Sequence, residues 1–148
     1  MNIIELLTAL SPVVLTAVAT YILIKQYSLD KKKFRLEHFD SRYQIYVRTM
    51  DYLSSIVANA TTTANEMLDF RKETSDVIIF FNDEIQTYVE EIYKKANSLR
   101  YCTTMTKNGN LEHDKQVKFA SDEFELMTWF GNQFSICENL FVKYLKID

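Results

Sequence analysis

Glycine and proline are nearly missing from this chain: two glycines and one proline stand among 148 residues. So few turn-formers argue against a β-sandwich or barrel, which needs many tight turns, and favour a few long helices. Gly109 and Gly131 lie far apart, so no glycine-rich phosphate loop is written here, and neither GxSxG nor HExxH nor a DxDxDG calcium loop occurs. Cysteine is equally scarce. Cys102 and Cys137 stand 35 positions apart with no CxxC pair. That spacing argues against a disulfide framework and fits two free thiols in a reducing compartment. A dominant charge is lacking too. The net charge is −3, and Arg71-Lys72 and Lys94-Lys95 are isolated pairs, so no basic stripe suits nucleic acid. Apolar residues make up 47% of the chain, which excludes a disordered chain and supplies the core of one domain with room for an appendage.

The appendage is at the start. In "IIELLTALSPVVLTAVATYILIK" positions 6–24 hold 19 residues and no charge. As a helix that run is roughly 28 Å long, close to the thickness of a bilayer's hydrocarbon core. A cleaved signal peptide is one rival, because Ala17-Val18-Ala19 has the AxA form. No basic residue precedes the run, however, and it continues through Tyr21-Ile22-Leu23-Ile24. A buried helix of a soluble protein is the other rival. Lys25, Lys31, Lys32, Lys33 and Arg35 follow the run, opposed only by Asp30. The positive-inside rule then places the N-terminus outside and the rest in the cytoplasm, with these five residues as a collar at the lipid headgroups. Around the span, Glu5, Thr8, Ala9, Pro12, Thr16, Ala19 and Thr20 share one side. Small and hydroxyl-bearing residues let membrane helices approach closely, so this side is the expected packing face toward a second copy or another span.

Beyond the collar, Leu36, Phe39, Tyr43, Tyr46, Met50, Leu53, Val57, Ala60, Ala64 and Met67 alternate at steps of three and four. That spacing predicts one long helix with a core seam. "DFRKETSD" (69–76) reads as a connection in which Ser75 or Asp76 caps a second helix. The second helix carries Ile78, Phe81, Ile85, Tyr88, Ile92, Ala96 and Leu99 inward. "YCTTMTKNGNLEHDKQ" (101–116) reads as the longest loop. A third helix presents Phe119, Leu126, Phe130, Phe134, Cys137, Phe141 and Tyr144, flanked by Trp129 and Leu140. The expectation is an all-α chain: an N-terminal transmembrane helix (1–27), then an elongated antiparallel three-helix bundle (28–148). In an up-down-up order the 101–116 loop returns toward the anchor and the C-terminus lies far from it.

Chemistry is thinly written. Glu37-His38 with Asp40, and Glu112-His113-Asp114, bring carboxylate and imidazole together, but a metal site needs three or more ligands converging on one point. Neighbouring helical residues splay apart, so His38 and His113 read as surface positions. No metal, no cofactor and no small-molecule substrate are expected.

Three stretches, "HFDSRYQIY" (38–46), "FFNDEIQTYVEEIYKKANSL" (80–99) and "FVKYLKI" (141–147), resemble a group of small bacterial proteins in which a short transmembrane segment precedes a helical cytoplasmic region. Members of that group often carry a small residue where this chain has Asn82. The resemblance implies a bacterial or phage-borne chain, and neither an activity nor catalytic residues.

The reading that follows is a non-enzymatic, single-pass membrane protein whose helical module binds another protein or itself, as a membrane component of a defence or signalling system. Its partners are membrane lipids and protein, not nucleic acid. One alternative is a membrane-disrupting effector that assembles a leak through the polar stripe of the span. A second is an enzyme with a site near His38 or His113.

Overall fold

The computed structural model describes residues 3–107 and 112–146, with side chains described at 12 and from 14 onward. Among the described residues the chain is helical, with no strand. Five helices follow in order: α1 (Ile3–Asn59), α2 (Ala64–Glu73), α3 (Val77–Phe80), α4 (Asp83–Thr106) and α5 (His113–Val142). The chain divides into two compact units, Met1–His38 and Phe39–Asp148.

In the first unit every described side chain from 12 to 37 is exposed. The second unit holds the core. There α1 turns Ile45, Thr49, Tyr52, Leu53 and Ile56 inward. This face is turned from the expected seam, of which Leu53 is buried while Tyr43 and Val57 are exposed and Tyr46 and Met50 are half-buried. Thr49 is accepted in the core because its hydroxyl donates to the Ile45 carbonyl at 2.8 Å.

The expected single helix through Ala60 and Ala64 is broken. Ala60 adopts a left-handed φ of 53°. Thr63 then caps α2 in a reciprocal box: Glu66 N donates to Thr63 Oγ1 at 3.2 Å and Thr63 N donates to Glu66 Oε2 at 2.7 Å. Nearby, the Tyr52 and Thr62 hydroxyls meet at 3.2 Å, and Ser55 Oγ donates to Glu66 Oε1 at 3.2 Å. A left-handed alanine strains its Cβ, and glycine does not. Ala60→Gly should therefore raise stability by about 1 kcal/mol in a urea titration. A loss of stability would show that the strain is relieved elsewhere.

Glu66 carries a pH dependence. The Thr63 backbone N–H, and then its hydroxyl, hold the carboxyl below its ordinary value of 4.5. A value lowered by folding stabilises above the unfolded value and is lost as pH falls through the folded one. Stability of the native chain should thus fall as pH drops below about 4.5, and Glu66→Gln should flatten that part of the curve. Parallel curves for the two proteins would remove Glu66 from the account.

After the break α2 runs back along α1. Tyr52 stacks on Phe70 with centroids 4.3 Å apart, and Arg48 meets Glu73 at 3.8 Å. The stretch 69–76 is thus mostly helix, not a connection. The one-turn α3 follows, with Asp76 as its N-cap but without a side-chain bond to the helix. Ile78, expected inside, is exposed on it. Arg42 Nε donates to the Phe80 carbonyl at 3.0 Å, and Arg42 Nη1 to that of Tyr144 at 3.4 Å. One guanidinium therefore ties α1 to the end of α3 and to the turn that follows α5.

From there α4 runs in the direction of α1, and Arg71 of α2 lies 4.9 Å over the Tyr93 ring. It buries Ile85, Tyr88, Ile92, Ala96 and Leu99, as the spacing predicts, and continues through the expected loop as far as Thr106. The return along α5 is fixed by Thr103–Glu123 (3.0 Å), Tyr88 to the Gln133 carbonyl (3.3 Å) and Lys143–Glu84 (3.2 Å). Phe141 closes the bundle against Tyr46 at 5.6 Å and Phe81 at 5.2 Å.

The second unit is thus an up-down-up-down arrangement of α1, α2 with α3, α4 and α5, instead of the expected three helices. The extra reversal at 60–63 inverts its ends. Tyr144, just past α5, lies beside Arg42, where the chain enters the unit, and the end of α4 meets the start of α5 at the opposite end, where Thr103 bonds Glu123.

Candidate functional surfaces

Of the expected packing face, Glu5, Thr8 and Ala9 lie outside the residues whose side chains are described. Pro12, Thr16, Ala19 and Thr20 lie exposed on α1. A shallow strip is lined by Pro12, Thr16, Ala17, Thr20, Tyr21 and Ile24, which shifts the concave line away from Ala19. Thr16 Oγ1 donates to the Pro12 carbonyl at 2.7 Å, and Thr20 Oγ1 to the Thr16 carbonyl at 2.8 Å. Pro12 has no N–H, but its carbonyl is satisfied by this back-bond. Both hydroxyls are occupied within their own helix, so a neighbour here gains from close approach more than from new hydrogen bonds.

Among the described residues no helix is long and apolar enough to cross a membrane. Seven of the expected span's positions, 6–11 and 13, lie outside the described side chains. The described remainder, 12 and 14–24, is uncharged and exposed, with Val14, Leu15, Val18, Ile22, Leu23 and Ile24 all open. The collar follows. Lys25, Lys31, Lys32, Lys33 and Arg35 are exposed. Lys25 Nζ lies 5.9 Å from the Tyr21 ring and Lys33 Nζ lies 3.9 Å from Glu37.

The second unit offers buried groups more than reactive ones. Both cysteines are free and buried: Cys137 on the expected inner face of the last helix, and Cys102 on α4 in place of the expected loop. Burial pushes Cys137 up to about 12, against a smaller opposing effect of its hydrogen bond with Tyr88. Burial, then the charges of Asp122 and Glu123, raise Cys102. Thiols held protonated are poor nucleophiles. Tyr52 is pushed up to about 12 by burial, and Tyr88 is raised for the same reason.

His38 packs its ring 4.1 Å from Phe34 in the first unit, whereas His113 opens α5 in the second and is exposed. Among the described residues no group of three or more histidine, cysteine or carboxylate side chains is placed to hold a metal ion.

One surface went unread in the sequence. A groove of about 920 Å³ runs between α4 and α5, with Lys95, Arg100, Tyr101, Asp122, Glu125 and Trp129 among its lining residues. Lys95 Nζ lies 5.6 Å from the Trp129 ring. Its lining mixes both charges with aromatics, and only the pairing of α4 with α5 brings those positions together.

Comparison of the chain with family models, with curated proteins and with solved structures finds no match. None of the three comparisons supports the expected resemblance to small bacterial membrane proteins.

Proposed function

We propose that the chain is a non-enzymatic, single-pass protein of the bacterial inner membrane, with its N-terminus outside. In this reading α1 is the anchor and the helical unit from Phe39 onward is a cytoplasmic protein-interaction module, belonging to a defence or signalling system. The observation that carries it is the uncovered start of α1. Bulky aliphatic side chains at 14, 15, 18, 22, 23 and 24 are exposed around the helix, and five exposed basic residues follow. An uncharged helix that exposes bulky aliphatic side chains over most of its circumference needs an apolar surrounding, and a collar of lysine and arginine at one end suits anionic headgroups. The second unit gathers seventeen acidic against twelve basic residues over 39–148, so only the collar is electrostatically drawn to such lipids.

The leak-forming alternative is less well supported. A water-filled path needs polar groups facing inward, and the described part of the span offers the hydroxyls of Thr16 and Thr20, whose O–H groups already donate to their own backbone. The enzyme alternative, with a site near His38 or His113, is also less well supported: the two histidines belong to different units, and among the described residues neither joins a group of three or more metal-ligating side chains.

Topology is tested by labelling with an impermeant thiol reagent. Native Cys102 and Cys137 are buried, so the reporter must be introduced at an exposed position such as Ser98→Cys. Ser98→Cys should stay unlabelled in intact cells and react once the inner membrane is opened. Labelling with the membrane sealed would refute the N-out orientation.

A further inference from the structure

We propose that residues 22–37 of α1 form a parallel two-stranded coiled coil with a second copy of this chain. The proposal deepens the anchored reading and rests on it for one thing, the parallel orientation that two chains sharing a membrane must have. Ile22, Leu29 and Leu36 recur at a strict interval of seven. They are exposed by 47%, 61% and 56%, and nothing in the first unit covers them. Leu15 extends the ladder by one more interval into the expected span. A straight helix that buries a face against its own fold follows a period near 3.6. A strict seven-residue repeat follows the seam of a left-handed supercoil instead.

Charge decides what covers the ladder. With Ile22, Leu29 and Leu36 at the d positions, Lys25 and Lys32 fall at g, and Asp30 and Glu37 fall at e. In a parallel pair each g residue faces the e residue five positions on in the other chain. Lys25 then meets Asp30 of the second copy, and Lys32 meets its Glu37. Both pairings are of opposite sign and each occurs twice by symmetry. Asp30 and Glu37 are also the only acids from 6 to 37, and both land at e. Gln26 and Lys33 occupy the a positions, where polar residues fix register at a cost in affinity. Within one chain Glu37 lies 3.9 Å from Lys33, with both side chains largely exposed, so the exchange to an interchain partner needs no unfolding.

Two heptads bury less than a standard stable interface, so association is weak in dilute solution. Confinement of two anchors to one membrane raises their effective concentration and makes the contact effective. The partner of the juxtamembrane helix is thereby a second copy, and each dimer presents two helical modules side by side to whatever they bind.

The test uses the full chain in lipid vesicles, with two tags that resolve the heterodimer by size. The native thiols are buried and stay silent. Under mild oxidation Leu36→Cys at d should cross-link at least tenfold faster than Lys31→Cys, which points outward at f. Leu29→Cys repeats the measurement should Leu36→Cys disturb the pair. On the Leu36→Cys background, Lys25→Glu with Lys32→Glu should lower the yield about tenfold, and so should Asp30→Lys with Glu37→Lys. A mixture of the two charge-reversed chains should restore it as heterodimer.

Equal rates at positions 36, 29 and 31, or a mixture no better than either chain alone, would overturn the proposal. Alkaline extraction of the same vesicles reports separately on the anchor. Release of the chain would sink the anchored reading, while the cross-linking pattern would still judge the coiled coil.

Discussion

Phe130→Ala will destabilise the second unit by about 3–5 kcal/mol, the range for removing a fully buried aromatic ring. Phe130 has no exposed surface, belongs to the single core cluster of the unit, and turns its ring edge-on to Trp129 at 5.0 Å. Alanine leaves a cavity between tightly packed helices that cannot collapse without moving α4 or α5. Phe124 supplies the control. It lies on the same helix six residues earlier and is 74% exposed, so Phe124→Ala should stay within about 0.5 kcal/mol. Urea denaturation followed by the emission of the only tryptophan, Trp129, reads both variants. A larger loss for Phe124→Ala would mean that the face of α5 is misassigned.

Val14→Arg combined with Val18→Arg should move the protein out of the membrane fraction. Each arginine near the middle of a span costs about 2.5–3.5 kcal/mol on an insertion scale, so the pair opposes insertion by roughly 5–7 kcal/mol. The two positions are one helical turn apart, exposed, and in the first unit. They are not part of the core cluster, so its melting should not change. Val14→Leu with Val18→Leu, which keeps the side apolar, should partition as the native chain does. If the double arginine variant also partitions like the native chain, the segment is not in hydrocarbon.

The sequence is easiest to read where one helix has one buried face. In α4 the inward positions Ile85, Tyr88, Ile92, Ala96 and Leu99 are separated by charged or polar residues, and their spacing alone marks them. In α1 two apolar tracks run side by side. Leu36 and Tyr43 catch the eye as large residues, yet both are exposed, whereas Ile45, Thr49, Tyr52 and Ile56 make the core face. Thr49 disguises that face because a hydroxyl bonded to its own helix can be buried at little cost.

The reversal at 60–63 has a legible half and an illegible half. Thr63 and Glu66 stand in capping-box spacing and could have been read as a helix start. Ala60 gives no such sign, since alanine is the best helix former, yet here it lies exposed in a left-handed conformation. The inverted ends of the unit follow from that one residue's conformation. The groove between α4 and α5 joins Lys95 and Trp129, which are neighbours only once the helices pair.

The anchor is the central claim, and its most direct test is alkaline extraction of membranes from bacteria producing the full-length native chain. Peripheral proteins are released by that treatment, whereas a helix in the hydrocarbon core is not. The account predicts that the chain stays with the membrane pellet and leaves it only in detergent. Recovery of the chain in the alkaline supernatant, with a known integral protein retained in the same pellet, would contradict it.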